Sequence, residues 1–387
     1  MDFEFSKDQK LIRQSAKEFF EKECPKERTR ELMAAKKGYD PKMWKKMVQL
    51  GFVGLIIPEE YGGTEGQFIE LAIFMEEMGR NIVPGPFFST VCLCAPAIRE
   101  FGSNAHKKSI LPGIAEKGEI WSLALNEKRT DYEATDIQLM AAGQEGGFVL
   151  NGTKLFAPYA NAAKHLLVPA RTATQTAPED GITVFMVDAK SPGIEIEEIP
   201  TAAPGVKCEV RFNDVSIAGE NILGALNRGW GVVEHIIHQG AVLKSAEMAG
   251  GSQAALDLAV NYAKERVQFD RPIGSFQVIQ HKLVNMFSEV ESLRHQVYEA
   301  AWNISAGRPL GALASMAKVK ANAVYHRVCF DAVVIHGAIG WTAEMDVSLY
   351  LLRAKDLEND CGGSDFHKER IARELEKTEP EFLRMEA

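Results

Sequence analysis

Apolar periodicity changes twice along this chain, and those two changes constrain the fold more than any single motif does. Up to residue 117 the apolar side chains recur every three or four positions, the period of an amphipathic helix. From 118 to 228 they collect into short β-rich runs separated by Gly, Pro and Asn. From 229 the helical period returns and holds to the end. A chain patterned in this way is expected to be an α+β protein in three parts. These are an N-terminal helical domain (1–117), a middle β-barrel or sandwich (118–228) and a C-terminal four-helix bundle (229–387).

Local signals sharpen that outline. Ser6-Lys-Asp-Gln9 reads as a capping box opening the first helix. Asp40-Pro41 starts another helix, with Pro41 near its first position, and Gly51 ends it. A long apolar helix is expected over 87–98 and a short one over 106–116. Strands are expected over 120–125, 147–151, 165–168, 182–187 and 206–212, with Asn151-Gly152 as a hairpin turn. Four long helices are expected over 230–267, 275–305, 309–336 and 342–360.

Composition excludes several classes of function. The formal net charge of −9 argues against nucleic acid as the main partner, because phosphate binding normally needs a basic face. No apolar run reaches the roughly 18 residues of a membrane span, and the first residues lack the apolar core of a secretory signal. The six cysteines have neither zinc-knuckle spacing nor disulfide-scaffold density, so reduced thiols in a cytoplasmic protein are expected, with Cys92-Leu-Cys94 as core packing. His235 and His238 share a helix face without a third ligand nearby, so no metal is expected.

The stretch ERVQFDRPIGSFQVIQHKL (265–283) carries the strongest functional signal. It closes one helix, turns through Asp270-Arg271-Pro272-Ile273-Gly274 and opens another at Ser275, with Gln277 in the first turn. A guanidinium, an aromatic ring and an amide around one rigid turn suit a large planar anion. Arg266 can grip a phosphate through a bidentate fork, and the helix N-terminus adds partial positive charge.

Seven segments in order make the chain resemble the acyl-CoA dehydrogenase family. They are LGFVGLIIPEEYGG (50–63), EEMGRNIVPGP (76–86), VLNGTKLF (149–156), VRFNDVSIAGENILG (210–224), YAKERVQFDRPIGSFQ (262–277), HGAIGWTAE (336–344) and LRAKDL (352–357). Gly362 and HKERIA (367–372) look like the branch that includes steroid and ring-substrate dehydrogenases. The resemblance implies an oxidoreductase with FAD between the β-domain and the C-terminal helices, and a tetramer in which a second subunit completes the site. It implies an acyl-CoA substrate and reoxidation by electron-transferring flavoprotein. Carried over by position, Arg266, Gln268, Phe269 and Gln277 hold the ADP half, and Gly337 and Ala338 let another subunit's backbone approach it. Leu123, Leu125 and Asn126 line the isoalloxazine ring. Phe156 replaces a flavin-stacking Trp, and Pro158 replaces a Thr that bonds the N5 edge.

The pattern breaks at the catalytic base. The family keeps a glutamate either six residues after the Lys of the R-A-K segment or twenty-six residues before the flavin-contacting Arg. These positions are Cys361 and Gly240 here, and the Arg usually beside the second is Ala241. Four readings follow. The base comes from elsewhere, with Asp360 or the wall over 87–94 as candidates and a cyclic enoyl-CoA as a fitting substrate. The chain is the base-lacking member of a mixed tetramer. It runs a desulfinase-like elimination, or it is a flavin-binding interaction protein. Cys361 as nucleophile stands against inert filler.

Overall fold

A computed structural model describes residues 5–35, 38–173 and 177–377. Six helices come first: α1 (Lys7–Glu23), α2 (Lys26–Ala34), α3 (Pro41–Gln49), α4 (Phe68–Asn81), α5 (Ala95–Phe101) and α6 (Asn104–Lys117). Eight strands follow: β1 (Trp121–Leu123), β2 (Met140–Gln144), β3 (Gly147–Pro158), β4 (His165–Arg171), β5 (Ile182–Asp188), β6 (Ile194–Ile199), β7 (Lys207–Ala218) and β8 (Ile222–Leu223). Then come α7 (Trp230–Glu265), the short strands β9 (Val267–Gln268) and β10 (Arg271–Pro272), α8 (Gln277–Ser305), α9 (Leu313–His336), α10 (Asp346–Leu357) and α11 (Ser364–Lys377). The helical–β–helical order is as the periodicity predicts. None of the described helices is long and apolar enough to cross a membrane.

Caps behave as read. The Ser6 hydroxyl accepts from Gln9 N at 3.2 Å while Gln9 Oε1 accepts from Ser6 N at 3.0 Å. Asp40 caps α3 through Lys42 N, and Gly51 leaves that helix with φ +76. Two expectations fail. Residues 88–94 form a π-helical stretch before α5, so the predicted continuous helix over 87–98 is interrupted. Pro96 has no N–H to give the normal ladder, which favours a widened turn ahead of it. Asn151-Gly152 is not a hairpin turn but lies inside β3. Gln144 pairs with Gly147, so the β2–β3 turn falls at Glu145-Gly146. The register of β3 on β7 shifts between Leu150 and Gly152, where Gly152 has φ +140 and the Asn151 amide closes on Asp214 at 2.9 Å. The same permissive pair serves a bulge as readily as a turn.

Packing groups the elements into two compact units that do not follow chain order. The first takes Met1–Thr29, Phe68–Val83 and Ala241–Ala387, so α1 and α4 pack with α8 to α11. Within it, α4 and α7 cross closely on glycines. A Cβ on Gly79 would stand 1.9 Å from the Glu247 carbonyl oxygen, and one on Gly250 1.8 Å from that of Glu76. Beside this crossing Glu76 is gripped by Arg13 Nη2 at 2.8 Å, Arg294 Nε at 2.9 Å and the Tyr298 hydroxyl.

The second unit takes Arg30–Gln67 and Pro84–Gly240. Its sheet runs β6-β7-β3-β2-β4-β5-β8, with β1 parallel to β4. Leu150, Val168, Phe185, Val187, Val210 and Phe212 meet in one core beneath it. Across the whole chain all six cysteines are buried thiols.

Candidate functional site

In the β-domain the residues expected to face a flavin ring are tied together by backbone bonds. Leu155 N donates to Asn126 O at 2.7 Å, and the Ser122 hydroxyl donates to Pro158 O at 2.7 Å. Phe156 has φ +56 and an exposed ring where β3 slips its register between Lys154 and Ala157, so the bulge turns an aromatic face outward. Pro158 offers no N–H. Leu123 is buried, and Leu125 and Asn126 are half-buried. Sequence reading missed what anchors this strand. Lys154 is wholly buried, and its Nζ donates to Leu125 O at 3.1 Å and Glu127 Oε1 at 2.7 Å. The Glu127 carboxylate also accepts from the amides of Gln138 and Leu139, closing the base of the intervening loop. Only the K of VLNGTKLF hinted at it, and a lone Lys in a strand reads as a solvated charge.

In the helical unit Arg266, Gln268 and Phe269 belong to one hairpin, and Gln277 opens the helix that follows it. The turn is tighter than predicted: Phe269 and Asp270 both have positive φ between β9 and β10, and residues 273–275 form a single short turn before α8 begins at Gln277. Arg266, at the end of α7, accepts through its carbonyl from Ile273 N at 2.8 Å. The Phe269 ring is 86% exposed, and Arg271 lies over the Phe276 ring at 4.2 Å. His336 stacks on Tyr262 at 4.4 Å, one turn ahead of Arg266, and anchors the loop that starts at Gly337. Gly337 has φ +70, a Cβ there would meet nothing within 4 Å in this chain, and Ala338 is exposed. The exposed Phe269 ring with the guanidinium and amide groups of the hairpin suits a planar dinucleotide, as does the open face of Gly337, so the residues fit FAD on each side taken by itself. Arg266→Ala is expected to weaken FAD retention about tenfold or more, the loss of one charge-assisted contact, measured by flavin absorbance after gel filtration. Full retention would refute that role.

The two customary base positions hold no carboxylate. Gly240 is buried on α7 and Ala241 beside it is fully enclosed. Cys361 has φ +59, and burial pushes its thiol up to about 12, which leaves it a poor nucleophile. Its carbonyl accepts from His367 Nε2 at 2.9 Å, so His367 Nδ1 takes the Ser315 hydroxyl at 3.0 Å. The stretch over 87–94 offers only hydroxyls as polar groups besides its cysteines. Ser89 and Thr90 donate theirs to Pro86 O and Trp121 O.

Asp360 is present but engaged: its Oδ2 stands 3.6 Å from Lys244 Nζ. Lys244 is 2% exposed and also bonds Glu247 Oε2 at 2.7 Å. Arg353 grips the other Glu247 oxygen at 2.6 and 3.1 Å and Asp356 at 3.0 Å. Burial works to raise the Glu247 carboxyl, but Arg353 and Lys244 outweigh it and hold it below the usual range. From α9, Lys318 donates to Leu357 O, Glu358 O and Asn322 Oδ1, and burial brings its ammonium down to about 8. None of these buried charges was legible as a site, because i,i+3 charges on a helix read as a solvated face.

The helical–β–helical order, the groups within each unit that suit a flavin and the two base positions without a carboxylate define a flavoprotein of the acyl-CoA oxidoreductase class. Three family profiles match in order: acyl-CoA dehydrogenase N-terminal domain over 6–118, middle domain over 122–215 and C-terminal domain over 227–376. The chain is 32% identical to the probable acyl-CoA dehydrogenase YngJ of Bacillus subtilis (strain 168), over 97% of this chain and all of that protein. Among solved structures it resembles butyryl-CoA dehydrogenase from Megasphaera elsdenii, with TM-score 0.91, 29% identity, and 97% of this chain and 100% of that one covered. It also resembles a chain of the ChsE4-ChsE5 complex from Mycobacterium tuberculosis, with TM-score 0.89, 28% identity, and 98% and 100% covered. The chain belongs to the acyl-CoA dehydrogenase family.

Proposed function

We propose that this chain is an FAD-dependent oxidoreductase of CoA thioesters that works without a glutamate at either customary base position. One observation carries the reading. Position 361 is a buried, high-pKa thiol, position 240 is glycine, and the carboxylates nearest to position 361 are held by cations. Bound FAD supplies the two-electron acceptor. Arg266, Gln268, Phe269 and Gln277 hold its ADP half, and Leu123, Leu125, Asn126 and Phe156 line its ring. Pro158 withholds the donor that the family places at the ring edge.

Asp360 is the remaining candidate to accept a proton. A carboxylate paired with Lys244 is a weak base, which suits a substrate with a more acidic C–H. A ring already bearing an enoyl thioester has one, so 1,4-dehydrogenation of a cyclic enoyl-CoA is the favoured reaction. The exposed apolar residues Val278, Val284 and Phe287 of α8 with Phe330 and Val334 of α9 support a tetramer, and electron-transferring flavoprotein is the proposed oxidant. The linear division into 1–117, 118–228 and 229–387 is the proposed domain organisation.

The test is anaerobic bleaching of the yellow protein by straight-chain, cyclohexane- and cyclohexene-type CoA thioesters. The cyclohexene-type thioester is expected to reduce the flavin at least about tenfold faster than a straight chain, equivalent to ~1.4 kcal/mol of barrier. Equal rates would remove the ring assignment. The pairing of Lys244 with both Asp360 and Glu247 also favours a second reading, the base-lacking subunit of a mixed tetramer, and the likeness to a chain of the ChsE4-ChsE5 complex adds to it. Flavin gained only on co-expression with a glutamate-bearing paralogue would establish that reading over the first.

A further inference from the structure

Lys244 lies on α7 one turn beyond Gly240, and its ammonium reaches Asp360, next to Cys361. It therefore follows one customary base position along α7 and touches the residue next to the other. Burying an ammonium is costly unless it is paired, and here both partners are carboxylates, Glu247 at 2.7 Å and Asp360 at 3.6 Å. Glu247 is pinned in turn by Arg353, which also binds Asp356. The network fastens the end of α10 to α7 and leaves neither Glu247 nor Asp360 as an uncompensated anion.

We propose that Lys244 is the specificity-determining residue of this site: by pairing with Asp360 it suppresses proton abstraction at the thioester α-carbon. This rests on reading the segment at 360–362 as part of the thioester pocket. Asp360 faces Lys244 of α7, acts on Lys318 of α9 and adjoins Cys361, while Glu247, Arg353, Glu358 and His367 act on those neighbours. Lys244 forms an ion pair with Asp360, whereas Lys318 donates to two backbone carbonyls and Asn322. An opposite charge this close favours the carboxylate form, so removing it returns basicity to Asp360. The step gained is balanced. The α C–H bond breaks, its proton goes to the Asp360 carboxylate, and its electron pair moves onto the thioester carbonyl as an enolate. Return of a solvent deuteron then regenerates the thioester with no net redox change.

The test is Lys244→Met in the FAD-loaded enzyme, following solvent deuterium entering the α-carbon of butyryl-CoA and cyclohexanecarbonyl-CoA by mass spectrometry, with the flavin held reduced. Exchange is expected to run at least about tenfold faster than in the native enzyme. The acid limb of its pH profile should move to higher pH, a change that loosened packing alone would not produce. If that variant does not fold, Lys244→Met with Glu247→Gln removes the ion pair as a unit and keeps the test alive. A folded variant that binds the thioester with native affinity by calorimetry yet exchanges at the native rate overturns the role of Lys244. Failure of both native and variant proteins to bind either thioester overturns the pocket reading instead.

Discussion

Lys154→Met is expected to destabilise the β-domain by about 3 to 5 kcal/mol, the range for breaking a buried ion pair from one side. Lys154 is fully buried, and Glu127 is 9% exposed. With the ammonium gone, Glu127 keeps the amides of Gln138 and Leu139 but loses its cation, and Leu125 O loses its donor. The charge of nearby Arg171 offsets part of the loss, which favours the lower end of that range. Denaturant unfolding of Lys154→Met, Glu127→Gln and the double variant measures it. The double variant should be more stable than Lys154→Met alone, since no uncompensated carboxylate remains inside. A loss below about 1 kcal/mol in the single variant would show that the pair behaves as a solvated one. Because Lys154 holds Leu125 and its neighbours in place, flavin affinity should fall with stability.

Glu77→Gln is expected to act in the opposite direction, with a gain that grows as pH rises from about 4.5 to about 7 and persists above it. Burial first, and then the Glu76 charge, push the Glu77 carboxyl up to about 7, with Arg80, Arg13 and Lys17 pulling the other way. Its Oε2 has no hydrogen-bond partner among the described residues; Arg13 Nε stands 3.7 Å from Oε1 and Arg80 Nε 3.9 Å from Oε2, beyond hydrogen-bonding range. A carboxyl whose folded pKa is raised contributes stability that is complete below its unfolded value and disappears as pH rises through the folded value. The window therefore runs from about 4.5 to about 7. At pH 8 the ionised side chain costs about 3 kcal/mol, which the amide does not incur. Unfolding at pH 5 and pH 8 should show the variant close to native at the first and more stable at the second. A variant less stable than native at pH 8 would mean that Arg13 and Arg80 pair with Glu77 more tightly than the geometry indicates.

Element order, the caps at Ser6 and Asp40 and the Arg266 hairpin were legible because each rests on local spacing. The hydroxyl, the carboxylate and the glycine do the same work in any chain with that spacing. Asn151-Gly152 misled because a bulge and a turn demand the same backbone freedom, and only the strand opposite decides between them. Strand β6 and helix α2 are mostly charged on their exposed sides, so their apolar runs were too short to register. The pairing of α4 with α7 rests on Gly79 against Glu247 and Gly250 against Glu76, contacts between residues 168 and 174 positions apart that no periodicity encodes. The absent glutamate was visible at once, since it needs only counting. What stands around its place was not, because Lys244, Glu247, Arg353 and Lys318 become a network only when three helices converge.

The six enclosed thiols give this protein a built-in gauge of its own integrity. In its intact state it should pass through iodoacetamide unlabelled and need no reductant on the bench. Each carbamidomethyl group that does appear then marks, by the peptide that bears it, which region has come apart. A destabilised variant can thus be mapped part by part in one digest, without any dye, tag or engineered probe.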